Sequence, residues 1–169
     1  MKKFMPLLAA VLAIALLAGC AGQKNELPVE SEGDSPPDLT VWVDSYIKNL
    51  GEDAPALEAP GKDIIEAFYP GLAELNLVQC EIRMAAISAV AFEIAAIEAE
   101  TPEDAKSVEL ILQERIDTQV ASGAFYPLTV EAWQKASIIK DGNIIVMICA
   151  GDYQSDAEAS LKYYIDPTA

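Results

Sequence analysis

Apolar positions are unevenly spread along the 169-residue chain. From Phe4 to Ala18 they form a run interrupted only by Pro6, preceded by Lys2 and Lys3 and closed by Leu17-Ala18-Gly19-Cys20. A run this short falls below the ~20 residues a membrane-spanning helix needs, and a basic start with a small-residue end predicts a segment that a peptidase removes. Ala21 to Pro37, AGQKNELPVESEGDSPP, is polar, acidic and rich in Gly and Pro, with almost nothing to bury. It predicts a flexible acidic tether that reaches roughly 50 Å when extended, at about 3.3 Å per residue. The organisation expected is therefore a signal segment over residues 1–20, a tether over 21–37, and one folded domain over 38–169.

Within that domain the spacing of apolar residues alternates between two periods. In VWVDSYIKNLG, Val43, Tyr46, Ile47 and Leu50 recur at helical intervals and Gly51 ends the run, predicting a first helix. KDIIEAFYPG puts Ile64, Ile65 and Phe68 on one face before Pro70-Gly71, a short second helix, and LAELNL adds a further turn. Residues 84–100, MAAISAVAFEIAAIEAE, combine helix-favouring alanines with alternating β-branched and aromatic positions. The alternation predicts a strand, with Val90, Phe92, Ile94 and Ala96 on one face and Ala91, Glu93, Ala95 and Ile97 on the other.

Thr101 followed by Pro102-Glu103-Asp104 is an N-cap, a proline at the first helical position and acids in the first turn. Ala105, Val108, Leu112, Ile116 and Val120 then mark a helix over residues 102–121, with Lys106, Glu109, Glu114 and Arg115 expected on its solvent face. Ser122-Gly123 closes it, and a loop runs through Pro127. In KASIIKDGNIIVMICAGD, Asp141-Gly142 separates two apolar segments and predicts a β-hairpin whose second strand, Asn143 to Ala150, is central and buried on both faces. Ser155 to Ile165 closes the domain as a helix with Ala157, Leu161 and Tyr164 inward. The fold class is α+β: a small mixed or antiparallel sheet with core order β-α-β-β-α, preceded by one or two N-terminal helices. A right-handed crossover from strand 85–98 through the long helix to strand 136–140 leaves room for the second hairpin strand between them, with helices covering one sheet face; the first two helices lie on that layer or shelter the opposite face, and the sequence leaves both placements open.

Charge narrows the partners. The chain carries 27 acids against 11 bases, a net −16, and losing Lys2 and Lys3 with the signal segment takes it to −18. Such a balance disfavours nucleic acid and repels anionic membrane faces and polyanionic wall polymers. Histidine is absent, which removes the commonest general base at neutral pH and the commonest metal ligand, and with them Ser-His-Asp and Cys-His chemistry. Glu93, Glu98 and Glu100 are carboxylates near one another in sequence, but nothing sets two of them across a cleft as glycoside hydrolysis requires. The acids of GDYQSDAE, Asp152 to Glu158, lack the alternating ligands and central glycine of an EF-hand loop. No cofactor and no metal site is expected. Cys80 and Cys149 lie too far apart for a CxxC site; a disulfide between them is one reading, two inert thiols the simpler one.

Several of these features together resemble a known family. The Leu17 to Cys20 motif resembles a bacterial lipoprotein signal, in which the cysteine is lipidated by diacylglycerol and becomes the first residue after cleavage. The run AVAFEIAAIEAETPEDAKSVELILQERIDTQ and the late DGNIIVMICAGD hairpin resemble the domain of unknown function 4358 (DUF4358) family of bacterial lipoproteins, in which a strand is likewise followed by a long helix carrying an arginine, here Arg115. The resemblance spans about the last 90 residues, implies a lipoprotein outside the cytoplasm, and carries over no catalytic residue. Lipidation at Cys20 with acyl chains such as palmitate anchors the chain firmly, because each buried methylene contributes about 0.8 kcal/mol.

The function expected is that of a docking or accessory module rather than an enzyme, held at the cell membrane by its lipid anchor with the domain on the extracytoplasmic side, and with an envelope or secreted protein as partner. A small-molecule or peptide-binding lipoprotein is the alternative, and a carboxylate-dependent hydrolase a third. The candidate recognition loop is GAFYPLTVEAW, where Phe125, Tyr126 and Trp133 fall outside the periodic segments.

Overall fold

The computed structural model describes residues 36–167. The signal segment, Cys20 and its lipidation, and nearly all of the tether lie outside the described residues. One five-stranded sheet runs in the order β1-β2-β3-β5-β4, with every hydrogen-bonded neighbour antiparallel. Its strands are β1 (Leu57–Glu58), β2 (Leu77–Ala85), β3 (Glu93–Ala99), β4 (Ser137–Asp141) and β5 (Ile144–Cys149). The helices are α1 (Leu39–Leu50), α2 (Lys62–Phe68), α3 (Pro102–Thr118), α4 (Pro127–Gln134) and α5 (Gln154–Ile165). The expected α+β class and β-α-β-β-α order hold. Strand β5 lies between β3 and β4 and is buried at all six positions, as its near-continuous apolar sequence predicts.

Helices cover both faces of the sheet: α3 and α4 lie on one, and α1, joined by α5, shelters the other, which decides between the two placements left open for the N-terminal helix. Ala95, Ile97 and Ala99 of β3, with Ile145 and Met147 of β5, meet Val108, Leu112 and Ile116 of α3 and Trp133 of α4. Ile94 and Ala96, with Val146 and Ile148, meet Leu39, Trp42, Val43 and Tyr46 of α1 and Ala157, Leu161 and Tyr164 of α5. A β3 reading EIAAIEA can serve both layers because successive side chains point to opposite faces and both sets are apolar. Burying one such Leu or Ile contributes roughly 1.5–3 kcal/mol. Polar ties register α1 on α5: Trp42 Nε1 donates to Ser160 Oγ at 3.1 Å, and the Tyr164 hydroxyl to the Asp38 carbonyl at 2.9 Å.

Two stretches depart from the sequence reading. The strand expected over 84–100 starts only at Glu93; residues 77–85 form a separate strand, β2, and the segment between them is a loop. The loop expected through Pro127 is the helix α4, with Pro127 at its first turn and Thr129, Ala132 and Trp133 turned inward. The long helix starts as predicted, with Thr101 Oγ1 accepting from the Asp104 amide at 3.1 Å, but after Thr118 it widens into a π-helical turn, Gln119–Gly123. Gly71, at φ 87°, turns the chain sharply after α2 and leaves Tyr69 fully buried.

Candidate functional site

The site is built on Glu93, the first residue of β3, opposite Met84 of β2 and Cys149 of β5. Strand alternation sends Glu93 to the same face as Ala95 and Ile97, under α3, where it is only 3% exposed. A carboxylate there needs a counter-charge. Arg115 supplies it, lying on α3 in the inward stripe of Val108, Leu112 and Ile116 rather than on the solvent face expected for it. Its Nε donates to Glu93 Oε1 at 2.9 Å and its Nη2 to Oε2 at 2.7 Å. The Tyr69 hydroxyl also donates to Oε1. Aromatic rings enclose the guanidinium: its carbon lies 4.0 Å from the Phe68 ring centre, 5.2 Å from that of Trp133 and 5.9 Å from that of Tyr69.

This arrangement fixes protonation states. Burial, the Glu93 charge and the Glu93 hydrogen bond push the Tyr69 phenol well above its ordinary range, so it stays a neutral donor. Burial alone would lower the Arg115 pKa, but the hydrogen bonds and charge of Glu93 outweigh it and hold the guanidinium charged. Burial and then Glu93 push the Cys149 thiol up to about 12. The same surroundings hold both the Cys149 thiol and the Tyr69 phenol in their protonated forms.

Above the pair opens a cleft of about 220 Å³, lined by Phe68, Met84, Ile87, Val90, Arg115 and Trp133, among others. Val90 also lines a neighbouring cleft of about 260 Å³ whose other wall is Leu128, Thr129 and Ala132 of α4. The β2–β3 loop and the start of α4 therefore adjoin one another.

The structure splits the residues singled out from sequence. Phe125 is 87% exposed and Tyr126 is exposed beside it, their rings 5.5 Å apart edge to face. Trp133, expected in the same loop, is buried on α4 against Arg115. Glu93 and Glu98 fall on opposite faces of β3: Glu93 with Arg115, Glu98 accepting from Gln79. Glu100 is exposed. Among the acids of residues 152–158, Glu158 accepts from Ser137 and Gln154, and no group of three or more His, Cys, Asp or Glu among the described residues is placed to hold a metal ion. The Cys80 to Cys149 bridge does not form: both thiols are free, Cys80 exposed on β2 and Cys149 buried on β5, with β3 between them. Sequence reasoning missed Tyr69, and missed Arg115 as a buried group. The signal available was position: Arg115 sits three residues after Leu112 and seven after Val108, inside the apolar stripe.

Residues 62–150, more than half of the chain, match the family described as Domain of unknown function (DUF4358). The chain belongs to this family. The DUF4358 match begins at α2 and ends just past β5, so it contains Phe68, Tyr69, Glu93, Arg115 and Trp133, and with them the whole ion-pair site; α1 and α5 lie outside it. No curated protein and no solved structure matches the chain. Among the described residues of this DUF4358 protein, no helix is long and apolar enough to cross a membrane.

Proposed function

We propose that this DUF4358 domain is a docking module, lipidated at Cys20 and held outside the cytoplasmic membrane, that binds a partner protein rather than catalysing a reaction. The observation that carries this reading is a set of exposed apolar residues on two adjoining segments: Ile87 at 62% exposure and Val90 on the β2–β3 loop, and Leu128 at 79% at the start of α4, across the cleft that Val90 also lines, with Phe125 at 87% and Tyr126 just before it in the chain. Surface apolar residues gathered this way on a strongly acidic protein mark a contact surface more readily than a solvated one. The chemistry nearby supports binding as well: Tyr69 and Cys149 are held neutral, and Glu93 is fully engaged by Arg115 and Tyr69.

The test has two arms. Changing Cys20 to Ser should move the chain from the membrane fraction to the soluble fraction and abolish incorporation of labelled palmitate; unchanged fractionation would refute the anchor. Capture from solubilised membranes with the full lipoprotein, against a variant carrying Phe125→Ser, Tyr126→Ser and Leu128→Ser, should show a stoichiometric partner lost with the variant. A partner retained at the same yield would refute docking through these residues.

A further inference from the structure

Alone among the α-helices of the described residues, α2 contains no buried residue. Its seven residues fall well short of the ~12–15 at which a helix begins to hold by itself, and its N-cap, Gly61, has no side chain to offer the first amides. Two side chains hold α2 inward. Ile65 is partly buried against the α3 layer, and the Phe68 ring lies 4.0 Å from the Arg115 guanidinium carbon. Of the three rings around that guanidinium Phe68 is the nearest and the only one not buried, at 36% exposure, while Tyr69 and Trp133 belong to the core.

The chain on either side of α2 is fixed. Leu57 and Glu58 of β1 pair with Ala85 and Met84 of β2, and Tyr69 is fully buried with its hydroxyl on Glu93. Seven residues span about 10 Å as a helix and about 23 Å extended, so unwinding α2 provides the slack to lift Phe68 without moving either anchor. Phe68 also lines the cleft over the ion pair, and its departure bares one face of a guanidinium that is otherwise 6% exposed. We infer that α2 is a strap that unwinds locally while the sheet stays folded, with Phe68 as its latch on Arg115, and that this opening gates the access of solvent to the Arg115–Glu93 pair. Such low-stability elements open far more often than the core they cover. The strap does not depend on the docking reading, since it concerns only the protein's own α2 and Arg115.

Hydrogen exchange on the full chain in lipid nanodiscs, followed by NMR, tests the strap. Three protons report: the Ile65 and Tyr69 amides, which donate to the Gly61 and Ile65 carbonyls at 3.0 and 2.8 Å, and Arg115 Nε–H, which donates to Glu93. All three should share one level of protection, about a hundredfold or more below that of the β3 and β5 amides. Urea below the unfolding transition should leave it nearly unchanged, because a local opening exposes little surface. Phe68→Ala should raise exchange at the three protons about tenfold. Gly61→Ser supplies the missing cap, at a φ of −69° with open space for the added side chain, and should lower it about threefold. The β3 and β5 amides should remain the slowest in each protein. Amides of α2 as protected and as sensitive to urea as those of β5 would show that no local opening occurs. An Arg115 Nε–H that follows β5 while α2 exchanges fast would show a helix that opens without uncovering the pair, and Phe68→Ala without effect would leave the strap no latch. Each of these results overturns the inference, and none bears on docking, which is read by capture.

Discussion

Arg115 grips both carboxylate oxygens of Glu93, at 2.9 Å from Nε and 2.7 Å from Nη2, across 22 residues of chain. Both side chains are buried, so each charge is tolerated in the core only because the other is there.

Breaking the pair from one side should therefore cost more than removing it. Glu93→Met or Arg115→Met alone should lower the unfolding free energy by about 3–5 kcal/mol, because each leaves a buried charge without its partner. The double variant Glu93→Met/Arg115→Met should be less destabilised than either single change predicts, and chemical denaturation of the four proteins closes the cycle. Additive losses would show that the two side chains act independently, against the geometry described.

Much of the fold was legible because it rests on local pattern. The capped start of α3, the Asp141-Gly142 hairpin and the central β5 are each announced by a few adjacent residues. Strand β2 was legible in principle, since Val78, Cys80 and Ile82 alternate with Gln79, Glu81 and Arg83, but the apolar set is exposed at Val78 and Cys80 while the polar set bonds to α1 residues, the reverse of an apolar-in pattern. The ion-pair site was not legible. A buried Arg on a helix and a buried Glu on a strand look like solvent residues until tertiary packing sets one over the other, and a period of 3.6 cannot tell a charged residue in the apolar stripe from one at its border.

Trp133 and Phe125, which the sequence pattern places in the same loop, should behave differently. Trp133 is 4% exposed and packs on Arg115, so Trp133→Ser should cost about 3–5 kcal/mol by opening a cavity. Phe125 is 87% exposed, and Phe125→Ser should change stability by less than about 0.5 kcal/mol. Thermal unfolding of the two variants separates a packing residue from a contact residue, and a large loss with Phe125→Ser would disqualify it as a clean probe of docking.

Alkaline pH should destabilise the domain in a defined window. The folded Cys149 thiol is raised from 9.0 to about 12 and Tyr69 well above 10.0, and Cys80 and Tyr164 are raised as well. Below pH 9 these groups are protonated in both states and their contribution is fully present. Above it, the unfolded chain loses protons that the folded one keeps, so stability falls as pH rises toward the folded values. Tyr69→Phe should cost about 1 kcal/mol near neutrality through the lost hydrogen bond to Glu93, yet flatten the alkaline decline. Denaturation midpoints from pH 8 to 11 check both signs, and an equal slope in the variant would remove Tyr69 from the account.

The thiols give the most direct reading of the sheet. Cys80 lies exposed on β2, whereas Cys149 has no exposed surface on β5, where burial first and the Glu93 charge second keep its thiol protonated. Because the thiolate is the reacting species, an aromatic disulfide reagent at pH 8 should modify Cys80 readily and Cys149 only as the domain opens. Desolvation raises Cys80 too, so its reaction should run more slowly than that of free glutathione under the same conditions. Urea should then convert the slow thiol to a fast one along the same transition that the tryptophan signals report. Prompt modification of both thiols in the folded lipoprotein would mean that β5 is not the closed central strand described, and the placement of Glu93 and Arg115 beside it would fall with it.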